Sequence, residues 1–339
     1  MDGTQRAYLA GTPSGALERR TATIALGALE VLVRITHSGV CGTDVHDRTA
    51  SCGLGHEGVG IVERVGSEVT AVKVGDRVGC SFQSHSCGHC DECITGYRHY
   101  CHRSVGQKYG AEEHGTFCDW AVRHEHYVNP IPDGLESKYA APLVCAGITV
   151  YEALLVASTQ SRDRVGVVGL GGLGHLAVLY ARAMGCAVTV FSGSSSKEGD
   201  ACKLGADEFY VLNKTTAPPA VNNINVLLLC GGDITDIGVF LPLLARRARV
   251  VPVVIQTKPL NIPYMEFILP GHRLIPSLGA TRENEQEALR FAARHKLNPW
   301  IDEFPMTEAG LTDAFKALDS GSIRYRAVLS KELGNDFSV

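Results

Sequence analysis

Four cysteines crowd the stretch HSCGHCDECITGYRHYC, residues 85–101, at the spacing C-x2-C-x2-C-x7-C. Zinc takes thiolates in a tetrahedral shell, and four of them leave no position for a reactant. Cys87, Cys90, Cys93 and Cys101 therefore predict a structural zinc. The metal would fold a surface lobe over residues 85–101, since binding energy at such a site is folding energy. Two disulfides, or a loop of free thiols, are the competing reading. It conflicts with an N-terminal stretch, MDGTQRAYLAGTPSGALERR, that lacks the apolar segment of a signal peptide. A cytoplasmic, reducing location is the expectation. A nucleic-acid zinc finger fits poorly, because the first three ligands are too closely spaced and Asp91 and Glu92 lie among them.

A second set of ligand types is dispersed. Cys41 lies in HSGVCGTDVH (37–46), His56 in LGHEGVG (54–60) and Cys145 in APLVCAGITVYEAL (141–154). Two thiolates and one imidazole suit a zinc that keeps a position open for chemistry. Asp44 could accept from the second ring nitrogen of His56 and fix its orientation. Singly these residues say little, because a lone cysteine usually behaves as a small buried apolar group. The joint arrangement carries the expectation of two zinc ions per chain.

The stretch RVGVVGLGGLGHLAVLYARAMGCAVTVFSGSSSK (164–197) holds a third signal. An apolar strand leads into Gly169, Gly171, Gly172 and Gly174, then a helix-period segment, then a second apolar strand. Glycines between a strand and a helix let the backbone approach a pyrophosphate at the helix N-terminus. An NAD site places an acidic residue at the end of the second strand; this chain has FSGSSSK there. Ser192, Ser194 and Ser196, with Gly193 among them, can donate to a 2′-phosphate, and Lys197 adds positive charge. NADP(H) is the expected cofactor; a solvated polar turn is the alternative.

These signals need elements to hold them. With 339 residues the chain is too long for one ordinary core, so two domains are expected. A net charge of −4 argues against nucleic-acid or anionic-membrane partners. No apolar run of about eighteen residues stands out, so no membrane-spanning helix is expected. Through Ala146 the chain reads as short strands punctuated by Gly and Pro, in the manner of a distorted barrel. From Gly147 to about Arg282 strand and helix alternate, with VNNINVLLLCGG and RARVVPVVI as buried parallel strands. The expected organisation is a catalytic domain over 1–146 and 283–339, interrupted by a nucleotide domain over 147–282.

In order along nearly the whole chain, GVCGTDVH, GHEGVG, the four-cysteine lobe, CAGITVY and GLGGLGHLAV resemble the medium-chain, zinc-dependent alcohol dehydrogenases. The serine-rich turn, KLGAD and PWIDEF are most similar to the cinnamyl-alcohol-dehydrogenase-like branch. The resemblance implies a Rossmann-type doubly wound parallel sheet inserted in a mostly β, GroES-like catalytic domain. It makes Cys41, His56 and Cys145 catalytic zinc ligands, with Glu57 a carboxylate able to approach the metal. It assigns Thr43 and His46 to a proton relay and puts Thr149 beside the nicotinamide. It implies hydride transfer between NADPH and an aldehyde or ketone, and a homodimer paired through its nucleotide domains. The apolar stretch 261–279, whose prolines limit in-sheet pairing, reads as partly interface and partly the wall beside the nicotinamide, with burial inside one subunit as the alternative.

Between His46 and GHE only DRTASCGL remains, several residues shorter than is usual in the family. The shortening would open the substrate site or loosen the loop carrying His56, or be neutral. Cys52, within it, would approach the catalytic metal, line the pocket or be a spectator thiol. Iminium or enone reduction is an alternative activity, and a non-enzymatic zinc- and NADPH-binding protein a second.

Overall fold

Antiparallel strands open the chain. β1 (Thr4–Gly11) pairs along its length with β2 (Leu17–Ile24). β3 (Glu30–Val40), α1 (Gly42–Asp47), β4 (Glu57–Val65), β5 (Arg77–Cys80), α2 (Asp91–Ile94), β6 (Trp120–His124) and β7 (Val128–Pro130) follow. The computed structural model describes residues 4–106, 115–212, 223–232 and 234–335. The chain divides into two compact units, Met1–Ile148 with Ala280–Val339, and Thr149–Gly279.

Helix α3 (Ser137–Pro142), a π-helical turn (Leu143–Gly147) and α4 (Ile148–Val156) run on without a break. This stretch, Ser137–Val156, is long and apolar enough to cross a membrane, contrary to the expectation from sequence. Most of it is buried inside the protein, including Ala140, Leu143, Val150 and Leu154, so its apolarity serves the core.

The second unit contains β8 (Arg164–Val168), α5 (Gly174–Ala183), β9 (Ala187–Ser192), α6 (Glu198–Leu204), β10 (Glu208–Val211), β11 (Ile224–Leu229), β12 (Leu244–Pro252), α7 (Tyr264–Ile268) and β13 (Arg273–Leu274). The strands form one parallel sheet in the order β10-β9-β8-β11-β12-β13, the doubly wound order of dinucleotide-binding folds. Val165, Val167, Val188, Val190, Leu227 and Leu228 are fully buried, as strands covered on both faces require. Val221 and Asn222, read from sequence as part of the third core strand, lie outside the described residues. The expected strand–helix alternation fails between β11 and β12. A 3-10 segment, Gly238–Leu243, stands there, and Pro242 within it has no N–H to continue a helix.

The chain then makes α8 (Arg282–His295), β14 (Ile301–Met306), α9 (Glu308–Asp319) and β15 (Arg326–Asn335). β15 pairs parallel with β14 and antiparallel with β3, completing a sheet ordered β14-β15-β3-β4-β5-β7, with β6 also on β3. The registers Gly39↔Val328 and Gly39↔Glu57 bring β15 and the start of β4 to either side of the end of β3.

One buried ion pair ties α8 to the cysteine-rich lobe. Glu285 accepts from Arg98 Nη2 at 2.9 Å and from Asn129 Nδ2 at 3.2 Å. Arg98 also lies over the Tyr127 ring, 4.5 Å from its centroid. Burial pushes the Glu285 carboxyl up, against the pull of Arg98. Arg98→Met would leave Glu285 buried without its ion-pair partner, at a cost of about 3–5 kcal/mol. The deficit should shrink as pH falls, because a carboxyl whose folded pKa is raised binds its proton in the native state first. Denaturation midpoints of the two proteins between pH 5 and 8 check this; a pH-independent or negligible difference would contradict it.

Candidate active site and metal centres

In the lobe the sulfurs of Cys87, Cys90, Cys93 and Cys101 all lie within 4.8 Å of one another. Cys87 stands 3.6 Å from Cys101 and 4.0 Å from Cys93. A disulfide needs about 2.0 Å, whereas thiolates about 2.3 Å from a tetrahedral zinc are separated by about 3.8 Å. The spacing fits a metal and not bridges, and all twelve cysteines are free. Backbone N–H groups favour the thiolate form. That of His89 is the main cause holding Cys87 at about 6, and those of Cys87 and Arg103 point at Cys101 Sγ from 3.5 and 3.3 Å.

The dispersed set converges in the same unit. Cys41 follows β3 and caps α1, His56 precedes β4, Glu57 opens it, and Cys145 sits in the π-helical turn. Their ligand atoms lie within 4.8 Å of one another. π-turns inside helices recur at functional sites. Asp44, fully buried, organises two of these residues. As the third residue of α1 it reaches back to accept from the Cys41 N–H at 2.9 Å. Its other oxygen accepts from the Gly55 N–H at 3.0 Å and stands 3.2 Å from His56 Nδ1. That contact leaves Nε2 as the ring's remaining ligand atom. Phe82 meets the His56 ring edge-on at 5.6 Å.

The charges are strongly coupled. The Cys145 thiol, as hydrogen-bond partner, holds Cys41 well below the usual thiol range despite burial, and Cys145 is raised by the same contact. The pair gives up its first proton readily and its second reluctantly. Burial would lower His56, but Asp44 and Cys41 together outweigh it and hold the imidazole well above its ordinary value. Burial pushes Glu57 up to about 7 even though Arg326 pairs with it. Glu57 Oε2 is buried with no hydrogen-bond partner among the described residues. Two half-buried thiols, a buried imidazole and an orphaned carboxylate oxygen converging on one point are the donor set of a zinc site.

Thr43 and His46 stand one turn apart on α1. Thr43 Oγ1 is 3.9 Å from Cys41 Sγ, His46 is exposed, and no hydrogen bond joins them among the described residues. Cys52 joins neither cysteine cluster; it packs in the apolar core with Tyr8, Leu9 and Leu54. The short segment around it zips onto β1, through Gly11 N–H to the Cys52 carbonyl at 3.1 Å and Leu54 N–H to the Leu9 carbonyl at 2.9 Å. These bonds hold the segment that leads to His56 against β1.

In the second unit the glycine loop joins β8 to α5. Gly169 has φ +89°, and a side chain at Gly174 would strike the Gly169 carbonyl, so neither position accepts another residue without distortion. Gly171 and Gly172 form the turn into α5. Lys197 donates to the Leu170 carbonyl at 2.7 Å, which fixes its ammonium at this loop. Gly193, Ser194 and Ser196 are exposed, with the two hydroxyls 2.8 Å apart. Ser192 departs from the expectation: it is buried at the end of β9, and its hydroxyl faces the Ser194 N–H at 3.5 Å. It shapes the turn rather than its rim. Thr149 is half-buried in α4, four positions after Cys145.

Two contributors escaped the sequence reading. Arg326 pairs with Glu57 across 269 positions, and no local pattern announces it. Gly39 faces the Glu57 carboxylate so closely that any side chain would collide with it; its place two residues before Cys41 was the available hint.

Residues 27–133 match the alcohol dehydrogenase GroES-like domain, and residues 172–294 match the zinc-binding dehydrogenase family. The NADP-dependent alcohol dehydrogenase C 1 of Mycolicibacterium smegmatis is 35% identical over 342 residues, which cover 96% of this chain and 97% of that protein. The structure of a cinnamyl alcohol dehydrogenase from Sorghum bicolor superposes with a TM-score of 0.91 at 31% identity, over 99% of each chain. A structure of CAD from Helicobacter pylori complexed with NADP(H) superposes with a TM-score of 0.88 at 26% identity, over 98% of this chain and 99% of that one.

The two clusters should separate by mutation. Cys87→Ser is expected to lose one of two metal equivalents and to lower the melting temperature by roughly 10 °C or more. Cys145→Ser is expected to lose the other equivalent with a far smaller change in melting temperature. Elemental analysis and thermal denaturation of both variants check this; fewer than two equivalents in the unmutated protein would overturn it.

Proposed function

This chain belongs to the medium-chain, zinc-dependent alcohol dehydrogenase family, cinnamyl-alcohol-dehydrogenase-like branch, and from that footing we propose how its residues work. It is an oxidoreductase that moves a hydride between NADP(H) and an aldehyde or ketone, or in reverse from the alcohol. The observation that carries the reading is the mixed cluster of Cys41, His56 and Cys145 beside a separate all-cysteine cluster. The first suits a zinc with an open position, the second a closed one. Bound at the mixed cluster, zinc would polarise a carbonyl oxygen and stabilise the negative charge that develops on it.

The chain's own groups do the rest. Cys41, His56 and Cys145 would hold the catalytic zinc, with Glu57 kept adjacent by Arg326. Asp44 keeps the His56 ring oriented. The Thr43 hydroxyl, beside Cys41, would hold the proton for the reacting oxygen. His46, exposed one turn along, would exchange that proton with water, and a bridging hydroxyl must span the gap between them. Iminium reduction needs no such delivery, so the presence of both residues favours carbonyl chemistry. Gly169 to Gly174 would cradle the dinucleotide pyrophosphate at the start of α5. Gly193, Ser194, Ser196 and Lys197 would receive the 2′-phosphate, with Thr149 beside the nicotinamide.

The same reading extends to assembly and location. Tyr264 and Leu269 are more than 70% exposed, and Met265 and Ile268 lie beside them. This apolar face neighbours the two-residue edge strand β13 and suits isologous pairing of two chains. Free thiols throughout the described residues suit the cytoplasm.

The cofactor assignment is directly measurable. A charge-assisted contact to phosphate contributes on the order of 1.5–3 kcal/mol, so Lys197→Ala should lose roughly tenfold or more of the preference for NADPH over NADH. Specificity constants for both cofactors with a panel of aldehydes test it. Equal values for NADPH and NADH in the unmutated protein would contradict the assignment.

A further inference from the structure

The parallel sheet carries a second polar site at the ends of its strands opposite the glycine loop. The glycine loop and the serine turn follow the C-terminal ends of β8 and β9. A cavity of ≈ 330 Å³ opens instead where β8, β11, β12 and β13 begin. Its volume lies in the range of small-molecule sites. Five arginines line it, Arg162, Arg246, Arg247, Arg249 and Arg273, with a single carboxylate, Asp163.

That carboxylate is already committed. Asp163 Oδ1 pairs with Arg249 Nη2 at 2.9 Å, and Oδ2 accepts from the Gln160 N–H at 2.8 Å. The remaining Arg249 donors go to the carbonyls of Ala157, Ser158 and Asn225. Arg249 and Asp163 thus make a closed, largely buried floor. The other four arginines are exposed and make no ion pair or side-chain hydrogen bond among the described residues. Four uncompensated positive charges around one cavity, in a chain of net charge −4, repel one another unless an anion joins them.

The backbone is shaped to present them. Between Ile224 and Val226 of β11, the pairing on β12 jumps from Leu244 to Arg249, so β12 bulges by three residues. Bulges re-aim side chains, and this one carries Arg246 and Arg247. Arg247 has φ +60°, a conformation that favours glycine and is costly for a long side chain. Local stability is given up at the position that adds a guanidinium to the cavity.

We propose that this cavity binds a small molecule bearing two or more phosphate charges, at a site separate from that of the dinucleotide. Guanidinium forks match phosphate oxygens in pairs, and several of them together select multiple charges over one.

The test titrates 2,3-bisphosphoglycerate, which has no aldehyde or ketone to reduce, into the zinc-loaded protein by calorimetry. Saturating NADP⁺ fills the cofactor's own phosphate subsites, and ionic strength is held constant. The unmutated protein should bind one equivalent at submillimolar concentration, and orthophosphate roughly tenfold or more weakly. Arg246→Gln with Arg273→Gln should weaken binding at least tenfold without changing the NADP⁺ affinity. Arg247→Gly should weaken it several-fold while raising the melting temperature, opposite movements that a purely structural arginine would not give. The proposal is overturned if no saturable binding occurs below 10 mM, or if NADP⁺ displaces the probe. It is equally overturned if the double variant binds like the unmutated protein, or if Arg247→Gly lowers the melting temperature and leaves affinity unchanged.

Discussion

One buried carboxylate joins the two segments that carry Cys41 and His56 of the mixed cluster. Asp44 receives the backbone N–H groups of Cys41 and Gly55 and the Nδ1 edge of His56. The first comes from the start of α1, the other two from the approach to β4. A solvated carboxylate would gain little from such contacts, but at zero exposure each is strong and the loss of any one is costly. The ladder of β3 with β4 and β15 brings the segments close; Asp44 then fixes the orientation of the ring within that frame.

A second charge system meets the first at Glu57. Arg326 enters from β15 and holds one carboxylate oxygen, while the other stays without a hydrogen-bond partner. A buried charge is tolerated only when paired or aimed at a cation. Glu57 meets the first condition with one oxygen and is positioned for the second with the other. Gly39 makes this possible by having no side chain where that carboxylate sits. The lobe cluster solves a different problem. Its four thiols use short-range spacing and backbone N–H groups, and the Arg98–Glu285 pair ties the lobe to α8. On the proposed reading the same element, zinc with thiolates, would serve folding in one place and chemistry in the other.

What sequence could reveal followed from how local each feature is. The lobe cysteines and the glycine loop depend on spacings within a few residues, so they were legible, as were the apolar strands of the parallel sheet. Asp44 was legible only as a partner for the His56 ring; its contacts to the Cys41 and Gly55 N–H groups depend on the start of α1 and the approach to β4, which spacing does not show. Arg326 was not, because its partner is set by sheet register between distant strands. The burial of Ser192 was not legible, because it follows from the end of β9 and the turn after it rather than from residue type. Pro242 in its 3-10 segment, where a helix was expected, shows the limit of reading alternation without weighing a single missing N–H. The apolar run ending at Val156 shows that composition alone does not separate a core helix from a membrane helix. The arginines of β12 were equally silent, since a bulge is a property of pairing and not of the strand's own residues.

The central claim is that Asp44 sets the geometry of the mixed cluster, and Asp44→Asn tests it most directly. Both carboxylate oxygens accept from N–H donors, so an amide would turn its own N–H₂ toward a donor at one of them. The affinity of the second metal equivalent can be measured by chelator competition, with the first left in the lobe. The account predicts a folded variant whose lobe metal is unchanged and whose second metal is held roughly 10–100-fold more weakly. A second site that binds as tightly in Asp44→Asn as in the unmutated protein would contradict it.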